Sequence, residues 1–353
     1  MLTDAFFRRY EDVQVWSRYG PTEARLLGQL SQLVTLDVHK RNEAEFKERA
    51  KDPAVTGLQT AHDRLARELG REQLSPKYWF RKVGLPGALR DEAIAYLIER
   101  QLANYLTETC NIDYNADGFI KERISLIELA LRVRGEQLFA TKFLNVMMVG
   151  GQEVWDKLTF DFTNSDRHAR TRRLYDAAEA AFNNHVNELN ARFQQGGYPL
   201  SYHNGFIQLV QDQVVTDRVE KPFWELVANP KWKNADHLVK EAIDKRDRGD
   251  RDAVTPAMQA LESVIKVISG EKGWDTGNER GAANYINNLV TERDGVRFIE
   301  VWEKDALMDL FGQIRNHFGH GPGSDPLPSL LPQQTDWAID TAMVWIKSLV
   351  RRS

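Results

Sequence analysis

Apolar residues recur every three or four positions along most of the chain, which is the pattern of amphipathic helices. Residues 91–108 contain no Gly or Pro, and their apolar side chains share one face: Ile94, Leu97, Ile98, Leu102 and Tyr105. This spacing predicts one helix. Residues 121–148 predict either one helix interrupted at Gly135 or two helices joined there, because glycine weakens a helix interior.

A further helix is predicted over residues 167–193, and the pattern changes after it. Gly196 and Gly197 follow, and glycine commonly ends helices because it accepts a left-handed backbone. Residues 198–210 then place short apolar runs on either side of Asn204 and Gly205. An Asn-Gly pair between two such runs predicts a small β-hairpin, because both turn residues need a positive φ.

The C-terminal part of the chain predicts four helices, over residues 255–273, 278–292, 298–316 and 334–352. The last of them is apolar over a wide arc, through Trp337, Ile339, Met343, Val344, Trp345, Ile346 and Leu349. Such a helix either lies at the centre of a bundle or pairs across a subunit interface. We therefore expect a four-helix bundle and a homodimer formed through it.

These elements predict a mainly α fold in two parts. Residues 227–254 contain Pro230 and are rich in Lys and Asp, which is typical of a junction, and we place the domain boundary near residue 230. Residues 1–230 would form a mostly helical region that includes the hairpin, and residues 231–353 the bundle. A chain of 353 residues can bury cores in both parts.

Charge and cysteine content narrow the possible functions. The 47 basic and 51 acidic residues give a net charge of -4, so any nucleic-acid site must be local. The single cysteine, Cys110, excludes internal disulfides and a Cys-rich zinc site, and no apolar stretch is long enough to span a bilayer. We expect a soluble, cytoplasmic protein without a cofactor, a metal or a membrane partner.

The segment from Asp113 to Ile124 has part of the pattern of a calcium-binding loop. Asp113, Asn115, Asp117 and Gly118 occupy the first, third, fifth and sixth positions. The twelfth position requires a bidentate carboxylate and holds Ile124 instead. We therefore interpret the segment as a turn in which Asp117 caps the next helix.

A basic cluster opens the helix predicted over residues 167–193. It consists of Arg167, Arg170, Arg172 and Arg173. Cations at the start of a helix oppose its dipole, so the cluster is either a solvated face or a contact for RNA or phosphate.

Arg315, Asn316 and His320 form the strongest candidate for chemistry. The helix over residues 298–316 delivers Arg315 and Asn316 at its end, and Gly319 lets the chain turn so that His320 folds back towards the arginine. An imidazole can move protons near neutral pH, and a guanidinium can stabilise charge on phosphate oxygens. The trio therefore suits metal-independent cleavage of RNA by an internal 2'-hydroxyl. The alternative is a helix terminus with an incidental histidine.

Glu262 and Lys266 lie four residues apart on the helix over residues 255–273. Spacing alone favours an ordinary surface ion pair, which contributes a few tenths of a kcal/mol, about 0.3 to 0.5.

The string Arg315-Asn316-x(3)-His320 resembles the Arg-polar-x(3)-His motif of the HEPN superfamily of helical bundles. Its setting, "ALESVIKVIS", "GWDTGNERGAANYINNL", "IRNHFGHGPG" and "TDWAIDTAMVWIKSLV", is similar to the C-terminal domain of bacterial abortive-infection proteins. The resemblance covers residues 255–353, and the segment around the predicted hairpin resembles the region that often precedes this domain.

The resemblance implies a toxin-like endoribonuclease of antiphage defence, in which motifs from two subunits share one cleft. By this resemblance His320 acts as the acid or base, Arg315 stabilises the transition state and Asn316 orients the phosphate. Glu262 and Lys266 match a Glu-x(3)-Lys pair that supports the site. RNA would be the substrate, the N-terminal region would sense or regulate, and a phage-derived trigger or an antitoxin would be a partner.

Two other interpretations remain open. The Arg315 and His320 motif could bind an RNA or nucleotide without cleaving it, in a non-catalytic HEPN-like dimerisation module. The near-neutral charge favours this alternative slightly, because cleavage of long RNA usually requires a basic track. The third interpretation is a helical scaffold protein.

Overall fold

The computed structural model describes residues 5–39, 52–84, 89–111, 115–159, 165–315 and 330–353. Side chains are described for these residues except 36–39, 142–159, 165–172, 213 and 315. The chain forms two compact units that divide between Ile207 and Gln208. The domain boundary near residue 230 stays a prediction. No helix within the described ranges is long and apolar enough to cross a membrane.

The first unit consists of six described helices, one hairpin and the first strand of a second hairpin. The helices are α1 (Phe6–Arg9), α2 (Pro21–His39), α3 (Pro53–Glu68), α4 (Ile98–Leu106), α5 (Ala116–Thr159) and α6 (Ser165–Gln195). The strands are β1 (Tyr78–Val83), β2 (Arg90–Ala95) and β3 (Leu200–His203), and β4 (Phe206–Leu209) runs into the second unit.

Helix α5 is the centre of the first unit, because α1, α2, α3 and α6 all pack against it. It runs without a break through Gly135, so the interruption considered from the sequence does not occur. The reason is a close approach: a Cβ on Gly135 would lie 3.3 Å from Cζ of Phe182 on α6. The glycine therefore allows two helices to come together instead of ending one of them.

Helix α6 and the β3–β4 hairpin agree with the sequence prediction. The helix ends at Gly196 and Gly197, where Gly197 has a φ of 71° and the N–H of Tyr198 donates to the carbonyl of Phe193 at 2.9 Å. In the hairpin turn, Asn204 and Gly205 have φ of 42° and 91°. Both values are positive, as a two-residue turn of this kind requires.

The helix predicted over residues 91–108 is wrong in its first third. Residues Arg90–Ala95 form β2, which pairs antiparallel with β1 from Tyr78 opposite Ala95 to Val83 opposite Arg90. Only Ile98–Leu106 is helical. Ile94 fits the apolar spacing of the helix that follows only by coincidence. The strand that pairs with β2 is β1, and its sequence shows no alternation of apolar and polar residues that would predict a strand.

The second unit is a helical bundle. After a short helical turn (Gln213–Val215) and a π-helical segment (Thr216–Glu220) come α7 (Lys221–Val227), α8 (Lys233–Asp247), α9 (Val254–Glu271), α10 (Ala282–Val290), α11 (Val301–Leu310) and α12 (Pro332–Arg352). The four predicted helices correspond to α9 to α12. Helix α9 lies in the middle and contacts α8, α10 and α12.

Helix α8 was not predicted, because its stretch was interpreted as a junction from its many charges. Val239, Ala242 and Ile243 are buried in the core of the unit. The buried ammonium of Lys240 pairs with Asp236 at 2.5 Å. Charged residues that pair in this way do not prevent a helix from packing.

A buried carboxylate, Glu128 on α5, connects three parts of the first unit. Its oxygens accept hydrogen bonds from Arg9 at 3.0 and 2.6 Å, from Arg132 at 2.8 Å and from the backbone N–H of Ile207 at 2.7 Å. The Glu128 side chain is fully buried. Removal of such a group leaves two arginines buried without their counter-ion.

We expect Glu128→Ala to lower the free energy of unfolding by about 3 to 5 kcal/mol, the range for breaking a buried ion pair. Urea unfolding followed by circular dichroism measures the loss. The matched control is Glu136→Ala on the same helix, whose exposed pair with Arg64 at 3.7 Å should contribute less than about 1 kcal/mol. Equal losses for the two variants would show that Glu128 does not hold the unit together.

Candidate active site

Helix α11 leads to the candidate motif and is anchored at its first turn. The carboxylate of Glu303 accepts the backbone N–H of Glu300 at 2.8 Å, as in a capping box. Arg352 at the end of α12 donates to both oxygens of Glu303, at 3.0 and 2.7 Å. These hydrogen bonds hold the pKa of Glu303 below its usual value. The start of α11 is thereby tied to the end of α12.

A π-helical segment, Phe311–Arg315, continues α11. Phe311 and Ile314 are buried in the core of the second unit, and the segment packs against α9. Single π-helical turns inside or at the end of α-helices occur frequently at functional sites, because they change the direction in which side chains leave the helix. Here the wide turn sets the backbone position of Arg315.

Three predicted site groups fall beyond this point. Asn316, His320 and the side chain of Arg315 lie outside the described residues. The predicted approach of His320 to Arg315 therefore stays a prediction.

Glu262 and Lys266 lie on α9, the helix against which the π-helical segment packs. The Lys266 Nζ is 2.9 Å from Oε1 of Glu262, and the exposed fractions of the two side chains are 47% and 8%. The ammonium also lies 5.6 Å from the centre of the Tyr285 ring on α10. A buried carboxylate thus orients a half-exposed cation, which differs from the ordinary surface pair that spacing alone favoured.

The basic cluster lies on α6 in the first unit. Arg173 is exposed, and the side chains of Arg167, Arg170 and Arg172 lie outside the described residues. The choice between a solvated face and an RNA contact stays open.

The partial calcium-loop pattern has a structural use in its described residues. Asp113 lies outside them, while the Asn115 side chain accepts the backbone N–H of Asp117 at 3.0 Å at the start of α5. The capping side chain is therefore Asn115 and not Asp117. The Asp117 carboxylate instead accepts the N–H groups of Val15 and Trp16 at 2.9 and 2.8 Å. In the part of the chain that the structure describes, no group of His, Cys, Asp or Glu could hold a metal ion.

Comparison with protein-family models identifies both parts of the chain. The model described as AbiJ N-terminal domain 4 matches residues 4–225, more than half of the chain. The chain belongs to this family. A second model, described as a HEPN-like domain, matches residues 233–353 and confirms the resemblance drawn from the Arg315 motif. Comparison with curated proteins and with solved structures gave no match.

The two matches together indicate an abortive-infection protein whose C-terminal helices α8 to α12 form the HEPN-like domain. The predicted fold class, mainly α with a small hairpin and a C-terminal HEPN-like bundle, is confirmed. The bundle contains α8 in addition to the four predicted helices.

A second polar cluster in the same compact unit was missed by sequence reasoning. Arg246 on α8 pairs with Asp247 at 2.9 Å and lies 3.6 Å from Asp336 on α12. Burial raises the pKa of Glu220 to about 7, although the hydrogen bond from Thr216 and the charge of Arg246 lower it. No local pattern could reveal this cluster, because its members come from three separate segments of the chain.

The acidic groups of this cluster outnumber its one described arginine. Burial likewise raises the pKa of Asp340 to about 6, and the nearby charge of Asp336 adds to the effect. A carboxyl group whose pKa is higher in the folded than in the unfolded protein stabilises the fold at low pH, where it is protonated. This contribution is lost as the pH rises through the folded-state pKa.

Glu220 should therefore make stability fall as the pH rises. Its folded pKa of about 7 lies above the unfolded value, so its contribution is complete below pH 4.5 and is lost as the pH rises through 7. Between pH 5 and pH 8, we expect the free energy of unfolding of Glu220→Gln to rise by about 2 kcal/mol relative to that of the wild type. Thermal or urea unfolding across this range measures the difference.

Glu225→Gln is the matched control, since Glu225 is exposed on α7. It should show the same dependence on pH as the wild type. A constant stability difference between Glu220→Gln and wild type from pH 5 to pH 8 would contradict the raised pKa.

Proposed function

We propose that this protein is a metal-independent endoribonuclease of abortive-infection defence. The observation that carries the proposal is the HEPN-like match over residues 233–353, with Arg315-Asn316-x(3)-His320 at the end of its α11 and π-helical segment. The reaction is attack of a ribose 2'-hydroxyl on the adjacent phosphate. Its products are a 2',3'-cyclic phosphate and a 5'-hydroxyl end.

The proposed roles follow from the chemistry of the three side chains. His320 takes the proton from the 2'-hydroxyl or gives one to the leaving 5'-oxygen, because imidazole titrates near neutral pH. Arg315 stabilises the negative charge that grows on the non-bridging phosphate oxygens. Asn316 orients the phosphate or the imidazole.

Glu262 and Lys266 support this site from α9. The half-exposed Lys266 ammonium is held in place by the buried carboxylate of Glu262 and by the Tyr285 ring. A cation fixed in this way costs little further ordering when a phosphate binds. Lys266 is therefore suited to a phosphate of the bound RNA.

We further propose that the HEPN-like domain forms a homodimer through α12, in which two motifs share one cleft. Trp337 and Val344 lie seven residues apart on α12 and are 58% and 43% exposed. Residues seven apart lie on the same face of a helix. Large apolar side chains on one exposed face are typical of an interaction surface.

The alternative proposal is a non-catalytic RNA- or nucleotide-binding module with the same dimer. The net charge of -4 favours it, since long RNA substrates usually require a basic surface. In either case we assign the AbiJ N-terminal domain to sensing or regulation, with a phage-derived trigger or an antitoxin as its partner.

Replacement of either proposed catalytic residue should abolish cleavage. We expect His320→Ala and Arg315→Ala each to slow RNA cleavage by about 100-fold or more, because proton transfer or charge stabilisation is lost. Asn316→Ala should have a smaller effect. The assay incubates the full chain with RNA in EDTA and identifies the end groups of the products.

Thermal midpoints should stay close to those of wild type in these variants, since none of the three residues lies on a predicted apolar face. Arg67→Ala, at an exposed position of α3, is the control for loss of a positive charge. Cleavage that needs magnesium, or that proceeds equally in wild type and both alanine variants, would favour the non-catalytic alternative.

A charge on the apolar face of α12 should separate the dimer. We expect Trp337→Glu and Val344→Glu to give monomers in light scattering at micromolar concentration and to lose cleavage, because a buried unpaired carboxylate disfavours association. Leu174→Glu on α6 introduces the same charge at another exposed apolar residue, which is 65% exposed. This control should leave the dimer mass in light scattering unchanged. A wild-type monomer at this concentration would contradict the dimer.

A further inference from the structure

The β1–β2 hairpin exposes three consecutive aromatic residues. Tyr78, Trp79 and Phe80 are 48%, 40% and 67% exposed, and Leu89 just before β2 is also exposed. Within the described parts of the chain, the two strands form a sheet of their own and pack chiefly against each other. The hairpin therefore does not use these aromatic side chains to build the core of the first unit.

Such an arrangement needs an explanation outside the fold of the unit. A two-stranded hairpin alone is only marginally stable, and exposed aromatic side chains add little to its stability. A contiguous apolar patch on a protein surface marks a site of interaction. The composition of the patch shows which partner fits it.

One face of the hairpin presents aromatic rings that large neighbours do not cover. Side chains alternate along a strand, so Tyr78, Phe80 and Lys82 point to the same face at steps of about 7 Å. Their cross-strand partners are Ala95, Ala93 and Asp91. The two alanines opposite the rings are too small to cover them.

The surroundings of the rings are basic. Lys82 lies on the same face as Tyr78 and Phe80, with Asp91 opposite it, and the ammonium of Lys77 lies 5.9 Å from the centre of the Tyr78 ring. Arg81, Arg90 and Glu92 belong to the other face. With Lys77 included, four basic and two acidic residues give the hairpin a charge of +2 in a chain of -4. Arg81 pairs with Glu92 at 2.9 Å. Among the described residues, Lys77, Lys82 and Arg90 form no ion pair.

We propose that the β1–β2 hairpin binds single-stranded RNA. Bases stack on the rings of Tyr78 and Phe80, and the phosphates lie near Lys77 and Lys82. Aromatic rings on an open sheet face, bordered by cations, bind unpaired bases in many single-strand-binding proteins, because every base has a π-face and every nucleotide a negative charge. The choice of RNA over DNA rests on the proposed ribonuclease function.

A docked protein strand fits the hairpin less well. Strand addition uses the backbone of a sheet edge and pockets for alternate side chains, whereas here the accessible groups are ring faces and ammonium groups on an open face. The positive charge selects a polyanion.

The test measures binding of a single strand of about 12 nucleotides, a length within the range bound by one domain. The strand is 2'-O-methyl RNA, which cannot be cleaved through its 2'-oxygen, so the full wild-type chain can be used. Fluorescence anisotropy gives the dissociation constant. We expect Tyr78→Ala and Phe80→Ala each to weaken binding by about 10-fold or more.

Two substitutions at Phe80 separate stacking from general hydrophobicity. Phe80→Trp should keep the affinity, while Phe80→Leu should lose nearly as much as Phe80→Ala. Lys82→Ala should weaken binding and reduce its dependence on salt, because a variant that contacts one phosphate fewer releases fewer counter-ions on binding. Phe139→Ala on α5 is the matched control, since Phe139 is another exposed aromatic residue of the first unit, 49% exposed. It should bind the strand as tightly as the wild type.

The proposal is wrong if the hairpin variants bind the strand as tightly as wild type, or if wild type fails to bind it at about 100 µM, the weak end of non-specific affinity. Equal affinity for Phe80→Leu and wild type would point to a protein partner and would also overturn it. A dependence on Tyr78 and Phe80 without any RNA cleavage would leave this inference in place and refute the ribonuclease. Cleavage that depends on His320, together with unchanged binding in the hairpin variants, would support the ribonuclease and refute the binding site on the hairpin.

Discussion

The carboxylate of Glu128 is the interaction on which the first unit depends. A charge that is fully buried must be matched by opposite charge and hydrogen bonds, because removal from water otherwise costs several kcal/mol, about 3 or more. Arg9, Arg132 and the N–H of Ile207 supply that match, and they come from α1, from α5 and from the end of the unit. An arrangement that displaces any of these segments leaves part of the buried charge unmatched. A single buried charge therefore fixes the packing of parts separated by most of the unit's sequence.

The same requirement explains the charges of the second unit. Where acids and bases are equal in number, as in the pair of Arg352 with Glu303, the carboxylate stays ionised and joins two helices. Where acids outnumber the described arginine, as around Arg246, burial raises the pKa of Glu220 and Asp340 towards neutrality. At Glu303 the hydrogen bonds from Arg352 outweigh the effect of burial on the pKa, whereas at Glu220 and Asp340 burial is the larger effect. The first arrangement anchors the helix that leads to the candidate motif, and from the second we expect the stability of the domain to depend on pH.

The sequence predicts those features whose cause is local. Gly197 ends α6 and Asn204-Gly205 turns β3 into β4, because these residues accept backbone angles that others avoid. Helices α9 to α12 and the Glu262–Lys266 pair follow from spacing, and the Arg315 motif from its resemblance to a family. The strand β2 depends on its pairing with β1, and the helix α8 and the cluster around Arg246 depend on partners more distant in sequence. The residues of β2 fit a helical pattern, those of α8 look like a junction, and those of the Arg246 cluster form no pattern. Periodicity therefore could not identify these three features.

The two places proposed to act on RNA are held differently by the fold. The β1–β2 hairpin packs chiefly against itself, whereas Phe311 and Ile314 hold the π-helical segment in the core of the second unit. The hairpin has few packing partners and therefore low local stability, and a ligand that orders it spends part of its binding energy on that ordering. Helix α9 packs against the π-helical segment, so the core of the bundle positions the backbone up to Arg315. We expect ordering by a bound ligand at the hairpin instead, because its strands pack chiefly against each other and not against the core of their unit.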